Sequence, residues 1–139
     1  MSKMKILVVD DHTIMREGIR ALLSPHDDME VVGEASDGKE AIEKALELVP
    51  DVVIMDVAMP GMDGLEATRR IMETSSQAEV LMFTMHKSEQ MLREAVKAGA
   101  RGYVVKSDGV NALFTAVEAL ARHETFFSFG SGNHSSRVV

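Results

Sequence analysis

The sequence predicts a doubly wound α/β domain built on a five-stranded parallel sheet with five helices. Three observations lead there. Short apolar, β-branched runs recur along the chain, and helical spacings alternate with them. The runs are continuous rather than alternating, as in Ile6-Leu7-Val8-Val9 and Val52-Val53-Ile54-Met55. Continuous runs suit strands covered on both faces, which is the habit of parallel sheets.

The elements follow in order. Lys5–Val9 reads as the first strand, and a stripe of Ile14, Gly18, Ile19, Leu22 and Leu23 as the first helix. Glu30–Ala35 is the second strand. Asp37 before Gly38 has the form of an N-cap for a second helix, with Ala41, Ile42, Ala45 and Leu46 on one face. Pro50 cannot continue that helix. Val52–Met55 is the third strand, and Leu65, Thr68, Ile71 and Met72 mark the third helix. Glu79–Phe83 is the fourth strand. Ser88 caps a fourth helix carrying Leu92, Ala95 and Val96, and Gly99 suits its left-handed end. Gly102–Val105 is the fifth strand, and Leu113, Val117 and Leu120 form the fifth helical stripe. Repeated strand–helix units of this kind imply right-handed crossovers with helices on both faces.

Beyond residue 123 the pattern changes. Phe126, Phe127 and Phe129 form a cluster that packs against the last helix or ends free, and 130–136 is a Gly/Ser-rich stretch. Residues 1–123 are expected to be the domain and residues 124–139 a linker or flexible C-terminal tail.

Composition narrows the function. The 139 residues suit one domain. A net charge of −7, with Arg69-Arg70 as the only basic pair, argues against direct nucleic-acid binding. No apolar run approaches the ~20 residues of a membrane span, and the run after Lys5 is too short for a signal-peptide core. A cytoplasmic location is expected. Zero cysteines exclude thiol catalysis and disulfides. The 11 methionines are expected mostly in the core, Met55, Met72 and Met82 among them.

Ligands of doubly wound sheets bind beyond the carboxyl ends of the strands. Polar residues stand at four of those ends: Asp10-Asp11, Asp56, Thr84 and Lys106. Each alone is ordinary loop or cap chemistry. Together they make a pocket of three carboxylates, one hydroxyl and one ammonium. Two like charges about 4 Å apart repel by ~4 kcal/mol at an effective dielectric near 20. The cluster therefore calls for an opposing charge, from Lys106 and from a divalent cation. Oxygen ligands suit Mg²⁺, which often joins phosphate chemistry. A carboxylate is also a competent nucleophile for an aspartyl-phosphate.

Asp10-Asp11, the segment Met55-Asp56-Val57-Ala58-Met59-Pro60-Gly61-Met62-Asp63-Gly64, Thr84 and Lys106 resemble the receiver domain of two-component response regulators, with its flavodoxin-like fold. The likeness spans about residues 4–122. Val32 to Gly38 and Thr84-Met85-His86 are similar to the NarL/FixJ-type subgroup. The resemblance implies Asp56 as phosphoacceptor, and Mg²⁺ held by Asp11, by Asp10 largely through water, by Asp56 and by the backbone carbonyl of Ala58. It implies that Thr84 and Lys106 bind the phosphoryl group and that Tyr103 moves with Thr84 as a switch. Ala58 and His86 stand where receivers tune the lifetime of the phosphorylated state. The implied partner is a sensor histidine kinase, with self-association on phosphorylation and with DNA reached only through an output domain outside this chain.

Receivers often carry Lys-Pro with a cis bond where this chain has Lys106-Ser107, and a cis non-proline bond costs ~3–4 kcal/mol. The sequence leaves open whether this bond is cis or trans, and a trans bond would give the loop a different shape while leaving the role of Lys106 unchanged. A receiver acting alone through protein contacts is the alternative output, since 17 residues after Arg122 are too few for a helix-turn-helix module. A metal-dependent α/β phosphatase would want a second Asp at Ala58, and a flavin binder a Gly/Ser-rich loop at Asp10-Asp11-His12.

Overall fold

The computed structural model of the chain describes residues 3–74 and 77–128. Elements run β1 Met4–Val9, α1 Thr13–Leu23, β2 Met29–Ala35, α2 Gly38–Leu48, β3 Val52–Met55, α3 Gly64–Thr74, β4 Glu79–Thr84, α4 Glu89–Ala98, β5 Gly102–Val105, α5 Val110–Ala121 and β6 Phe126–Ser128. A 3₁₀ turn at Lys106–Asp108 joins β5 to α5. The strands pair in parallel in the order β2-β1-β3-β4-β5-β6.

Alternate residues of each strand feed two cores. Leu7, Val9, Val53, Met55, Val80, Met82, Tyr103 and Val105 face α2, α3 and α4, where Ala41, Ala45, Ala67, Ile71 and Ala95 close over them. Ile6, Val8, Val52, Ile54, Leu81, Phe83 and Val104 face α1 and α5, meeting Ile19, Leu23, Leu113 and Val117. Small residues on the first set of helices let them sit close to the sheet. Met55 and Met82 are fully buried and Met72 packs against them, so these methionines are core.

The helix ends obey local chemistry. Asp37 accepts a hydrogen bond from the Glu40 amide at 2.8 Å, and Ser88 accepts one from the Met91 amide at 3.2 Å. Gly99 closes α4 at φ 113°, where a side chain would be strained.

The sheet has six strands where five were expected. The sixth comes from the segment read as linker. Phe126 pairs with Gly102 and Phe127 with Tyr103. The cluster does not simply pack on the last helix: Phe126 joins the α1/α5 core and Phe127 the opposite one. A strand sends neighbouring side chains to opposite faces. A three-residue strand is too short to show that period in sequence. Phe129 and the Gly/Ser stretch lie outside the described residues.

Two helical stripes also need correction. Ile14 is 82% exposed and Leu46 53% exposed. Ile14 stands about half a turn around the helix from Leu23, and Leu46 about 100° from Ala45. Leu48 takes the inward place on α2 instead.

Phe127→Ala removes a ring that is 8% exposed and closes one end of a core. It is expected to destabilise the fold by about 3 kcal/mol, measured by urea denaturation.

Candidate functional site

The polar strand ends meet at one edge of the sheet. Asp10 follows β1, and its amide donates to the Ala35 carbonyl at 3.0 Å. Asp56 follows β3, and its amide donates to the Val9 carbonyl at 3.0 Å. Each carboxylate is thereby tied to the neighbouring strand by its own backbone. Thr84 is the last residue of β4, one position earlier than a loop residue, and is fully buried. Lys106 opens the turn after β5.

Lys106 joins the site. Its Nζ donates to Asp10 Oδ2 at 2.8 Å and to Asp56 Oδ2 at 3.4 Å. The ammonium also lies 5.8 Å from the Phe83 ring centroid, which favours a cation there. Asp10 is 2% exposed and Asp56 4%. Burial opposes ionisation of Asp10, yet hydrogen bonds from Lys106 and from the His12 amide and ring hold its carboxyl below the usual range. Burial pushes the Asp56 carboxyl up, and the Lys106 charge offsets only part of this.

Asp11 is different. Its Oδ1 is buried without a hydrogen-bond partner, although His12 Nδ1 stands 3.2 Å away. One ligand atom from each of Asp10, Asp11, His12 and Asp56 lies within 4.8 Å of the others. Three carboxylates against one ammonium leave the edge formally negative. An orphaned buried oxygen among hard oxygen donors is a setting that a divalent cation fits.

The backbone around Asp56 is held closely. Val57 and Met59 are buried, with Ala58 exposed between them. The Gly64 amide donates to the Val57 carbonyl at 2.8 Å. A Cβ on Gly64 would fall 2.0 Å from the Asp56 carbonyl oxygen, so only glycine fits at the start of α3. This was legible only as turn composition in the sequence.

His86 contributes through its backbone. Its amide donates to Thr84 Oγ1 at 3.2 Å, and its carbonyl accepts from the Tyr103 hydroxyl at 2.5 Å. The His86 side chain is exposed. Tyr103 is fully buried, beside Phe127 of β6. No peptide bond among the described residues is cis, and Lys106-Ser107 is trans within its 3₁₀ turn. Sequence reasoning missed His12 and Arg16. His12 donates its amide and directs Nδ1 to Asp10 Oδ1, both at 2.9 Å. Arg16 Nη1 donates to the Asp10 carbonyl at 2.6 Å. A histidine after two aspartates was visible, but nothing in the spacing shows that Arg16 turns back toward β1.

Burial pushes the Tyr103 phenol up to about 12. The folded chain therefore resists ionising it. Stability is expected to be level with respect to this group below pH ~10 and to fall as pH rises through about 12. Tyr103 is the sole tyrosine and there is no tryptophan, so ultraviolet absorbance titration reads it directly. A midpoint near the free value of about 10 in the folded protein would contradict the buried geometry.

The sequence pattern of the response regulator receiver domain family matches residues 6–118. The chain is 40% identical over 124 residues to the response regulator GacA of Pseudomonas syringae, covering 89% of this chain and 58% of that protein. It is 43% identical over 123 residues to the response regulator protein VraR of Staphylococcus aureus, covering 88% and 59%. The chain thus spans about three-fifths of the length of these relatives. A crystal structure of a LuxR-family two-component response regulator from an Aurantimonas species superposes with a TM-score of 0.85 at 42% identity, covering 89% of each chain. Fold, sequence pattern and relatives agree, and the chain belongs to the receiver domains of two-component response regulators, in the branch of the NarL and LuxR types.

Proposed function

We propose that Asp56 accepts a phosphoryl group from the phosphohistidine of a sensor histidine kinase, and that the domain passes on the resulting charge. The observation that carries this reading is the bridge from Lys106 to both Asp10 and Asp56 at the carboxyl edge of the sheet. Membership of a phosphoacceptor family supports it.

In this reading Asp10, Asp11, Asp56 and the backbone carbonyl of Ala58 hold Mg²⁺. The ion supplies positive charge that reduces repulsion between the phosphoryl donor and the acidic edge. The Asp56 carboxylate forms the new P–O bond as the P–N bond to the donor imidazole breaks, and the imidazole nitrogen takes up a proton. Lys106 already sits between two carboxylates, ready to pair with a phosphoryl oxygen. Burial keeps water away from the Asp56 carboxylate and strengthens each of these interactions. The domain assists transfer and later hydrolysis without being a conventional enzyme. Ala58 offers no side-chain group to aim a water at the phosphoryl group, and the exposed His86 ring flanks the same edge.

The readout starts at Thr84. Its hydroxyl gives up the His86 amide to bond the phosphoryl group, which pulls on the loop whose carbonyl holds Tyr103. That movement biases the surface formed by α4, β5 and α5, of which β6 covers the strand edge. We assign the output to a DNA-binding domain beyond these residues, in keeping with relatives of greater length, and the setting to the cytoplasm. Self-association on phosphorylation through the same surface fits this scheme. Among the described residues, no helix is long and apolar enough to cross a membrane.

Asp56→Asn is expected to abolish labelling by acetyl phosphate with Mg²⁺, read as the intact-mass shift. Stoichiometric labelling of that variant would sink the assignment. Chelation by EDTA is expected to stop labelling of the natural sequence, and re-addition of Mg²⁺ to restore it. Lys106→Met should slow labelling by ~10²-fold, as loss of a charged donor to a developing anion does. An unchanged rate would remove Lys106 from the mechanism.

A further inference from the structure

Arg16 lies in the first half of α1, and its guanidinium engages two elements at once. Nη1 donates to the Asp10 backbone carbonyl at 2.6 Å, and Nε donates to Glu34 Oε1 at 2.8 Å. Glu34 stands one residue from the end of β2, the strand beside β1. Its second oxygen lies 3.2 Å from Arg20 Nε, and its backbone carbonyl accepts from Lys44 Nζ of α2 at 2.5 Å. Glu34 is thus held from both faces of the sheet. The Arg16 side chain is only 16% exposed. Exposed ion pairs contribute little to stability, but half of this fork is spent on a backbone carbonyl and not on a carboxylate.

That carbonyl belongs to the peptide joining Asp10 to Asp11. Its orientation sets where the Asp11 chain leaves, and Asp11 carries the buried oxygen without a hydrogen-bond partner. The His12 amide closes the same turn on Asp10 Oδ1 at 2.9 Å, and the Arg16 amide donates to the His12 carbonyl at 3.1 Å. We propose that Arg16 is a positioning residue: braced on Glu34, it holds the Asp10–Asp11 peptide so that the Asp11 carboxylate is aimed at a divalent cation. This rests on the reading of the acidic edge as a Mg²⁺ site. Groups that orient metal ligands without touching the metal commonly change affinity by ~10–100-fold when removed.

The sign of the effect separates this role from the others. Acting through charge alone, Arg16 would repel a cation, and its removal would tighten binding. Acting only as a structural brace, it would lower melting temperature and leave affinity unchanged. Positioning requires weaker binding. Calorimetric titration with Mg²⁺ of the natural sequence, Arg16→Met, Arg16→Lys and Glu34→Gln decides among them. Arg16→Met is expected to weaken binding by ~10-fold. Arg16→Lys should recover little, because one ammonium cannot span both acceptors, and Glu34→Gln should shift affinity in the same direction. In R16M/E34Q the second change should add nothing to the first. Unchanged or tighter binding in Arg16→Met, or full recovery by lysine, overturns the proposal. If Arg16→Met does not fold, Arg16→Lys and Glu34→Gln carry the same comparison. Amide exchange in metal-free protein gives an independent reading: the His12 amide should exchange faster in Arg16→Met while the Val8 amide is unaffected. If the natural sequence takes up no Mg²⁺, the metal reading of the acidic edge falls. The His12 amide then decides alone whether Arg16 holds this turn, and unchanged exchange overturns that too.

Discussion

Lys106 is the charge on which the acidic edge depends. Asp10 and Asp56 are both nearly buried, and two carboxylates in such a place repel each other and resist ionisation. One ammonium, itself 10% exposed, satisfies both. It can do so only because β5 lies two strands from β3 and three from β1, with its carboxyl end on the same side. The parallel sheet is therefore a condition of the chemistry: strands running in one direction gather their following residues on one edge. The five-residue chemistry of the edge draws on four separate strands, so no local segment of the chain contains it.

The same edge is kept incomplete. Asp10 is satisfied by Lys106 and by the His12 amide and ring, and it stays ionised. Asp56 is pushed toward protonation by burial, and Asp11 retains an oxygen with no hydrogen-bond partner. Unpaired polar groups are costly in an interior and are retained where something else completes them. A metal and a phosphoryl group complete this edge in the proposed function. Arg16 and Glu34 then have a reason to be where they are, one layer away, holding the turn that carries the incomplete carboxylate.

The far side of the site is linked to the sheet's outer edge. Thr84 and Tyr103 are bonded to the backbone of His86, the first to its amide and the second to its carbonyl, in the two peptides that flank its α-carbon. Tyr103 lies beside Phe127 in β6. The Ser128 hydroxyl donates to Asp108 in the turn that follows Lys106. A strand added after α5 thus touches both the buried aromatic and the loop that positions the ammonium. Any surface formed by α4, β5 and α5 includes this strand.

The sequence by itself determined the first five strands, the five helices and the identity of the charged residues at the strand ends. Those features are written in local chemistry: continuous apolar runs, caps at Asp37 and Ser88, a left-handed stop at Gly99. Ile14 and Leu46 were misplaced because a stripe of apolar residues fixes a helix but not which of its borderline members turn inward. Phe126–Ser128 was misread because three residues carry no period, and only the open edge of β5 makes them a strand. Tertiary structure alone decided which nitrogen faces which carboxylate, that His86 makes its contacts through its backbone, and that Arg16 reaches the Asp10 carbonyl. These depend on side-chain directions across strands distant in sequence, and spacing along a chain holds no record of direction.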